Sequence, residues 1–203
     1  MNIANQLTFS RIFIVPFFIV CLLWGGFYPW IGAFLLFGAA ALTDWYDGKL
    51  ARKYGLVSNF GKFLDPIADK LLVSSAFVCF IQVLRIPAWM VIIILSREFV
   101  ISGLRSLAAS KGVVLAALPI GKAKTFSQMV SITFILLVLI AKGALVKFWG
   151  ISNLMEFSGW RYYVGGFLHY IPWILVFAVS VFTLFSGIMY LIHCKEIIYE
   201  SIK

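Results

Sequence analysis

The chain has 203 residues, of which 63% are apolar and 12% are charged, and its formal net charge is +9. A soluble domain is about 45–50% apolar and about 25% charged, so this composition excludes an ordinary soluble domain and indicates an integral membrane protein. The positive charge would suit a nucleic-acid-binding protein in a soluble chain, but with this hydropathy we expect no nucleic-acid partner.

The apolar segments predict six transmembrane helices, since one span needs about 20 mostly apolar residues. Residues 12–43 carry no charge, and Gly25, Gly26 and Pro29 interrupt them, which predicts two helices joined by a tight turn. Later spans are predicted over residues 62–84, 87–108, 124–146 and a last segment that starts near Pro172 and ends at Lys195. We therefore expect an all-α integral membrane protein in which residues 1–203 form a single domain.

The basic residues divide unequally between the two sides of this predicted bundle. If the N-terminus is cytoplasmic, thirteen of the seventeen Lys and Arg residues lie on the inner side. The outer side then keeps Arg85, Lys142, Lys147 and Arg161. Because cytoplasmic loops carry an excess of Lys and Arg, we expect a multi-pass protein of the inner (cytoplasmic) membrane, among membrane lipids, with both termini on the cytoplasmic side.

Half of the eight acidic residues fall within 26 positions, at the predicted cytoplasmic ends of the second and third spans: Asp44, Asp47, Asp65 and Asp69. A carboxylate at membrane depth costs about 2.5–3.5 kcal/mol on insertion scales, so this group needs compensation. The spacings i,i+3 and i,i+4 place each pair on one helix face. Such oxygen donors suit Mg²⁺ or Mn²⁺, and two ions about 3.5–4 Å apart are usual in phosphoryl transfer. For any single aspartate, an ion network with neighbouring Lys and Arg is the alternative.

The segment that contains these aspartates reads DWYDGKLARKYGLVSNFGKFLDPIAD, which is D-x2-D-G-x2-A-R-x8-G-x3-D-x3-D. This pattern resembles the signature of the CDP-alcohol phosphatidyltransferases, with all eight specified residues present. The resemblance implies six transmembrane helices, a homodimer and an active site that faces the cytoplasm. In that site two divalent ions hold the diphosphate of CDP-diacylglycerol while an acceptor hydroxyl displaces CMP.

The resemblance also implies roles for individual residues. Asp44, Asp47, Asp65 and Asp69 would be the metal ligands. Asp69 would in addition be the catalytic base that takes the proton from the attacking hydroxyl. The implied contacts with the CDP-lipid come from Thr8, Arg11, Asp44, Asp47, Gly48, Ala51, Arg52 and Gly61.

Four cations in the segments REFVISGLRSLAASKG and LPIGKAKTFSQM are candidates for binding the phosphate of an acceptor: Arg97, Arg105, Lys122 and Lys124. Arg97 and Arg105 are eight positions apart and share a helix face. Glu98 is adjacent to Arg97, and neighbours at i,i+1 do not face each other, so we expect Glu98 not to neutralise it. These cations would then be available to an anionic acceptor. Contact with lipid head groups is the alternative.

Over most of residues 1–130 the pattern resembles the branch of the family that uses sn-glycerol 3-phosphate as acceptor, although Ala4 stands where that branch commonly has proline. This implies transfer of the phosphatidyl group of CDP-diacylglycerol to glycerol 3-phosphate, with release of CMP. The alternatives are a member with another acceptor, such as a cardiolipin or phosphatidylinositol-phosphate synthase, and, more distantly, a divalent-cation transporter. Beyond residue 130 only hydropathy guides the prediction.

Overall fold

The computed structural model describes the backbone of residues 3–54, 59–110, 119–150, 160–193 and 195. Within these ranges it describes the side chains except those of residues 3–8, 44–54, 59–67, 69, 119, 122 and 160–162. The described backbone contains six helices and no strand: α1 (Ile3–Trp24), α2 (Phe27–Tyr54), α3 (Asn59–Leu84), α4 (Ala88–Ser110), α5 (Pro119–Trp149) and α6 (Trp160–His193). The predicted all-α class is confirmed.

The turn between α1 and α2 lies at the predicted glycine pair. Gly25 and Gly26 have φ angles of 76° and 90°, in the left-handed region that glycine adopts without steric cost. The backbone N–H of Trp30 donates to the carbonyl of Gly26 at 3.1 Å, and its indole Nε1 donates to the carbonyl of Leu22 at 3.3 Å. The two glycines that predict the turn in the sequence therefore also form it, because they adopt left-handed backbone angles without strain.

The helices differ in how well they meet the requirements of a membrane span. Among the described residues, Ala123–Trp149 and Tyr163–His193 are long and apolar enough to cross a membrane. Three further apolar helical segments are shorter: Phe9–Trp24, Phe27–Thr43 and Lys70–Leu84. The described part of the chain contains six helices, and six membrane spans remain a prediction.

The last helix begins earlier than the sequence predicted. α6 starts at Trp160 and includes Pro172 in its interior, so the expected helix start near Pro172 is wrong. Proline removes one backbone donor and favours a first-turn position. Inside membrane proteins, however, neighbouring groups can satisfy the freed carbonyl, and helices continue through proline. α1 likewise continues through Pro16.

The chain forms two compact units. Unit 1 consists of Met1–Arg85 and Ile132–Ile171, and unit 2 of Ile86–Ser131 and Pro172–Lys203. In unit 1, α1 packs on both α2 and α3, and α2 also contacts α3. Large buried side chains such as Phe18, Phe77 and Phe80 fill its core. The single-domain organisation stays a prediction.

One end of unit 1 is held by a close backbone approach and a cation. A Cβ atom added at Gly143 in α5 would lie 2.8 Å from the Cα of Phe27 at the start of α2. One turn further along α5, the Nζ of Lys147 lies 3.3 Å from the centroid of the Tyr28 ring. The rings of Phe27 and Phe148 pack edge to face, with centroids 5.3 Å apart. The small residue thus permits the approach, and the cation and the rings stabilise it.

We predict that Gly143→Ala destabilises the protein by about 1–3 kcal/mol, because the added methyl group meets backbone atoms of Phe27 that cannot move independently. Thermal unfolding in detergent micelles measures this loss. Gly38→Ala in α2 is the matched control, since a Cβ there meets no described heavy atom within 4 Å beyond the backbone of its own helix. An unchanged melting temperature for Gly143→Ala would contradict the close approach.

Candidate functional site

The four aspartates of the signature lie on two helices of unit 1. Asp44 and Asp47 are in the C-terminal half of α2, and Asp65 and Asp69 are in the first half of α3. Because the backbone is helical at all four positions, the i,i+3 and i,i+4 spacings do place each pair on one helix face. The two helices are in contact. The predicted helical backbone at these four positions is confirmed.

The side chains of these four aspartates lie outside the described part of the structure, so their role as metal ligands stays a prediction. The described side chains contain no group of three or more His, Cys, Asp and Glu that could hold a metal ion. The chemistry of the donor set fits a divalent ion, because four carboxylates on two contacting helices supply the hard oxygen ligands that Mg²⁺ and Mn²⁺ prefer.

The residues predicted to contact the CDP-lipid are distributed over three helices of unit 1, which are α1, α2 and α3. Arg11 lies on α1, which packs on the two helices that carry the aspartates, and it is only 4% exposed. A guanidinium buried in this way needs negative or polar partners. The side chains of the other non-acidic members are not described: Thr8 on α1, Gly48, Ala51 and Arg52 on α2, and Gly61 on α3.

A second group of charged side chains lies in unit 2, where α4 and the first part of α5 meet. The Nζ of Lys124 forms an ion pair with Oε1 of Glu98, and the Lys124 side chain is 2% exposed. The amide Nε2 of Gln128, one turn along α5, donates to the same Glu98 oxygen at 3.3 Å. The carboxylate therefore has both a charged and a neutral partner on α5. Lys122 lies in the same helix, with its side chain outside the described part.

Arg97 extends from α4 to the second part of α6. Its Nη2 donates to the Ser186 hydroxyl at 3.0 Å, and its Nη1 lies 3.9 Å from Oε2 of Glu98. The side chain is 11% exposed, and among the described residues its buried Nε has no hydrogen-bond partner. Gly187 makes room for it, because a Cβ there would lie 2.8 Å from the Arg97 Cγ. Arg97 is therefore held against a face of α6 that lacks a side chain at this point.

Arg105, two turns further along α4, also contacts α6. Its Nε donates to the Tyr190 hydroxyl at 3.1 Å, and its Cζ lies 5.2 Å from the centroid of the same ring. One tyrosine thus offers the guanidinium both a hydrogen-bond acceptor and a ring face. Tyr190 is 2% exposed, so α6 buries this contact from one side.

The structure corrects one prediction about this basic cluster, which we define as Arg97, Arg105 and Lys124. The i,i+1 spacing predicts that Glu98 does not neutralise Arg97, and this is wrong: Oε2 of Glu98 lies 3.9 Å from Nη1 of Arg97, while Oε1 pairs with Lys124. The Cβ atoms of adjacent helical residues point in different directions. Long side chains such as those of Arg97 and Glu98 can nevertheless bring their charged ends together. Three cations and one carboxylate still leave two positive charges in excess.

Sequence reasoning missed the α6 residues that contact the basic cluster. A signal for them exists, because the buried polar residues of this helix recur at helical spacing on one face: Ser180, Thr183, Ser186 and Tyr190. Hydropathy averaged over residues 162–194 conceals this stripe, since the remaining residues are strongly apolar. A search for polar residues at a period of three to four would have found it.

The chain is similar in sequence to proteins of one family. The sequence profile of the CDP-alcohol phosphatidyltransferase family matches residues 1–193. A protein of Bacillus subtilis is 45% identical over 148 residues, covering 67% of this chain and 77% of that protein. A protein of Rickettsia bellii is 34% identical over 195 residues, covering 96% of each chain. One of Escherichia coli is 38% identical over 141 residues, covering 66% and 76%. All three are named CDP-diacylglycerol–glycerol-3-phosphate 3-phosphatidyltransferase.

We predict that Glu98→Gln lowers the free energy of unfolding by about 3 kcal/mol or more, because it leaves the buried Lys124 ammonium without its carboxylate. For a chain of this size each kcal/mol lowers the melting temperature by about 2–4 °C. The matched variant combines Glu98→Gln with Lys124→Met and should recover most of the loss, since neither charge remains. A wild-type melting temperature for Glu98→Gln alone would contradict the ion pair.

Proposed function

The chain belongs to the CDP-alcohol phosphatidyltransferase family, and we propose that it is a CDP-diacylglycerol–glycerol-3-phosphate 3-phosphatidyltransferase. It transfers the phosphatidyl group of CDP-diacylglycerol to sn-glycerol 3-phosphate, forming phosphatidylglycerol phosphate and CMP. The observation that carries this proposal is the match to the Rickettsia bellii enzyme of that name over 96% of both chains. The protein is a membrane transferase of phospholipid biosynthesis.

The basic cluster of unit 2 supports an anionic acceptor. A phosphate monoester carries about −1.5 to −2 charge at neutral pH, which matches the two positive charges that remain after Glu98 is counted. Arginine guanidinium groups suit phosphate oxygens because they offer several donors in a fixed plane. A neutral acceptor alcohol would leave this surplus uncompensated. We assign Arg97, Arg105, Lys122 and Lys124 to the acceptor phosphate.

The donor residues are assigned to unit 1. Members of this family generally depend on a divalent metal, and we propose that Asp44, Asp47, Asp65 and Asp69 hold two ions, Mg²⁺ or Mn²⁺. When bound, such ions would withdraw charge from the diphosphate oxygens of CDP-diacylglycerol. Arg11 and Arg52 add positive charge for the phosphates, and Thr8, Gly48, Ala51 and Gly61 complete the proposed nucleotide site.

The proposed chemistry is a direct displacement. The acceptor hydroxyl oxygen forms a bond to the β-phosphorus of CDP-diacylglycerol as the bond from that phosphorus to the CMP oxygen breaks. The carboxylate of Asp69 takes the hydroxyl proton, as a positioned general base does. We further propose that residues 1–203 form one domain, that the enzyme is a homodimer, and that its termini and active site face the cytoplasm from the inner membrane.

The acceptor assignment predicts that the purified full-length protein, in mixed micelles with CDP-diacylglycerol and Mg²⁺, releases CMP only when glycerol 3-phosphate is added. A panel with serine, inositol phosphate and phosphatidylglycerol as acceptors provides the comparison. Release with one of these, and none with glycerol 3-phosphate, would assign the chain to another branch of the family. Metal-dependent ion flux in liposomes without CMP release from any acceptor would favour a cation transporter.

The base assignment predicts that Asp69→Asn lowers kcat by a factor of about 10² or more, because the amide cannot accept the hydroxyl proton. Binding of CDP-diacylglycerol should remain largely intact, as equilibrium binding of a labelled CDP-lipid would measure. Glu156→Gln, which removes an acid outside the signature, is the control and should retain wild-type turnover. Substantial activity of Asp69→Asn would exclude Asp69 as the base.

A further inference from the structure

The second part of α6 presents a polar face inside unit 2. Ser180, Thr183, Ser186 and Tyr190 are each at most 2% exposed, and their spacing places them along one side of the helix. Buried hydroxyl groups need partners, and Ser180 finds one in its own helix, at the carbonyl of Phe177. Two members of this stripe, Ser186 and Tyr190, contact α4, and they contact its two arginines.

Each guanidinium donates one hydrogen bond to α6, and a second contact restricts the same side chain. Arg97 has its Nη2 on the Ser186 hydroxyl, and its aliphatic stem passes over Gly187 where any side chain would collide with it. Arg105 has its Nε on the Tyr190 hydroxyl and its plane near the ring of the same residue. A long side chain loses about 2 kcal/mol of rotamer freedom when it is ordered. The contacts with α6 restrict both side chains, which reduces the rotamer freedom that binding of a phosphate has to order.

We propose that Ser186, Gly187 and Tyr190 of α6 are positioning residues that orient Arg97 and Arg105 for the phosphate of the acceptor. This inference rests on the proposed function, which assigns these arginines to glycerol 3-phosphate. The α6 residues do not touch the substrate themselves. They hold the two guanidinium groups in one orientation, so that binding of the acceptor does not have to order them.

The contacts leave donors for a ligand. Among the described residues, Tyr190 accepts from Nε of Arg105, Ser186 accepts from Nη2 of Arg97, and Nη1 of Arg97 lies 3.9 Å from Oε2 of Glu98. A guanidinium has five N–H donors, so the contacts with described residues leave most of the Nη hydrogens for phosphate oxygens. Anchoring at one atom and binding at others is the arrangement expected of a prepared anion site.

The first test measures steady-state CMP release by the full-length enzyme while each substrate is varied in turn. Tyr190→Phe keeps the ring but removes the hydroxyl that accepts from Arg105. We expect KM for glycerol 3-phosphate to rise about fivefold to tenfold, since hydrogen bonds to charged groups are among the stronger ones, and KM for CDP-diacylglycerol to stay unchanged. Ser186→Ala should act in the same direction.

Two matched controls lie on the same helix. Ser180→Ala removes a buried serine whose hydroxyl donates, among the described residues, to the carbonyl of Phe177 in its own helix, at 2.8 Å. Gly166→Ala adds a methyl group where no described heavy atom beyond the local helix backbone lies within 4 Å, whereas Gly187→Ala places it against Arg97. We expect both controls to keep the wild-type KM for each substrate. Gly187→Ala should raise KM for glycerol 3-phosphate about tenfold or more.

A double-mutant cycle separates positioning from direct binding. If Tyr190 acts through Arg105, then Tyr190→Phe has no further effect on KM for glycerol 3-phosphate once Arg105→Lys has removed the Nε donor. If the two substitutions multiply their separate effects, Tyr190 acts independently of Arg105 and the proposal is overturned. Because Tyr190→Phe keeps the buried ring, it tests the proposal even if Gly187→Ala fails to fold.

The outcomes distinguish this proposal from the function on which it rests. A wild-type enzyme that releases no CMP with glycerol 3-phosphate overturns the proposed function, and the positioning role falls with it. A wild-type enzyme that uses glycerol 3-phosphate, with variants whose KM is unchanged or raised equally for both substrates, overturns the positioning role alone. A selective rise for glycerol 3-phosphate, absent from both controls, supports it.

Discussion

The contacts inside unit 2 depend on one constraint, which is the cost of removing positive charge from water. An ammonium or guanidinium group taken out of water costs several kcal/mol unless partners compensate it. Three kinds of partner compensate this cost: a carboxylate for Lys124, a serine hydroxyl for Arg97 and a tyrosine phenol for Arg105. Among these described partners Glu98 is the one carboxylate, and with Oε2 also 3.9 Å from Nη1 of Arg97 it cancels one of the three positive charges. The hydroxyl and the phenol hold their cations in place but leave the charge available, which suits a site that is to bind an anion.

The sequence predicts much of the fold because a bilayer permits few kinds of backbone structure. Long apolar stretches have to become helices, since only helices and closed barrels satisfy every backbone group within a bilayer. The turn at Gly25 and Gly26 was predictable for a local reason, the left-handed backbone that glycine permits. The helix start near Pro172 was not, because the preference of proline for a first turn is also local and the rest of α6 overrides it. Local rules succeed where no other part of the chain opposes them.

In the candidate site, too, the local features were predicted from the sequence and the contacts between distant residues were not. The aspartates were found because four of them form a spaced signature within one segment, and the structure confirms that their backbone is helical. The partners of the basic cluster were missed because they are distant in sequence: Glu98 meets Lys124 from another helix, and Ser186 lies 89 positions from Arg97. Rules about neighbours in one helix cannot find such pairs. A helix judged only by its mean hydropathy also conceals the few polar residues that give it a function.

Lys147 shows a different way to hold a cation, with consequences for metal selectivity. Its ammonium lies over the ring of Tyr28 and within 6 Å of the ring centroids of Phe27 and Phe148. Ring faces attract an ammonium through their quadrupole but are poor ligands for a small, strongly hydrated divalent ion, which prefers oxygen. A carboxylate in the same place would have anchored the lysine and also attracted Mg²⁺ or Ca²⁺. By using aromatic rings, the chain secures this end of unit 1 without creating a competing site for the ions that its aspartates are proposed to bind.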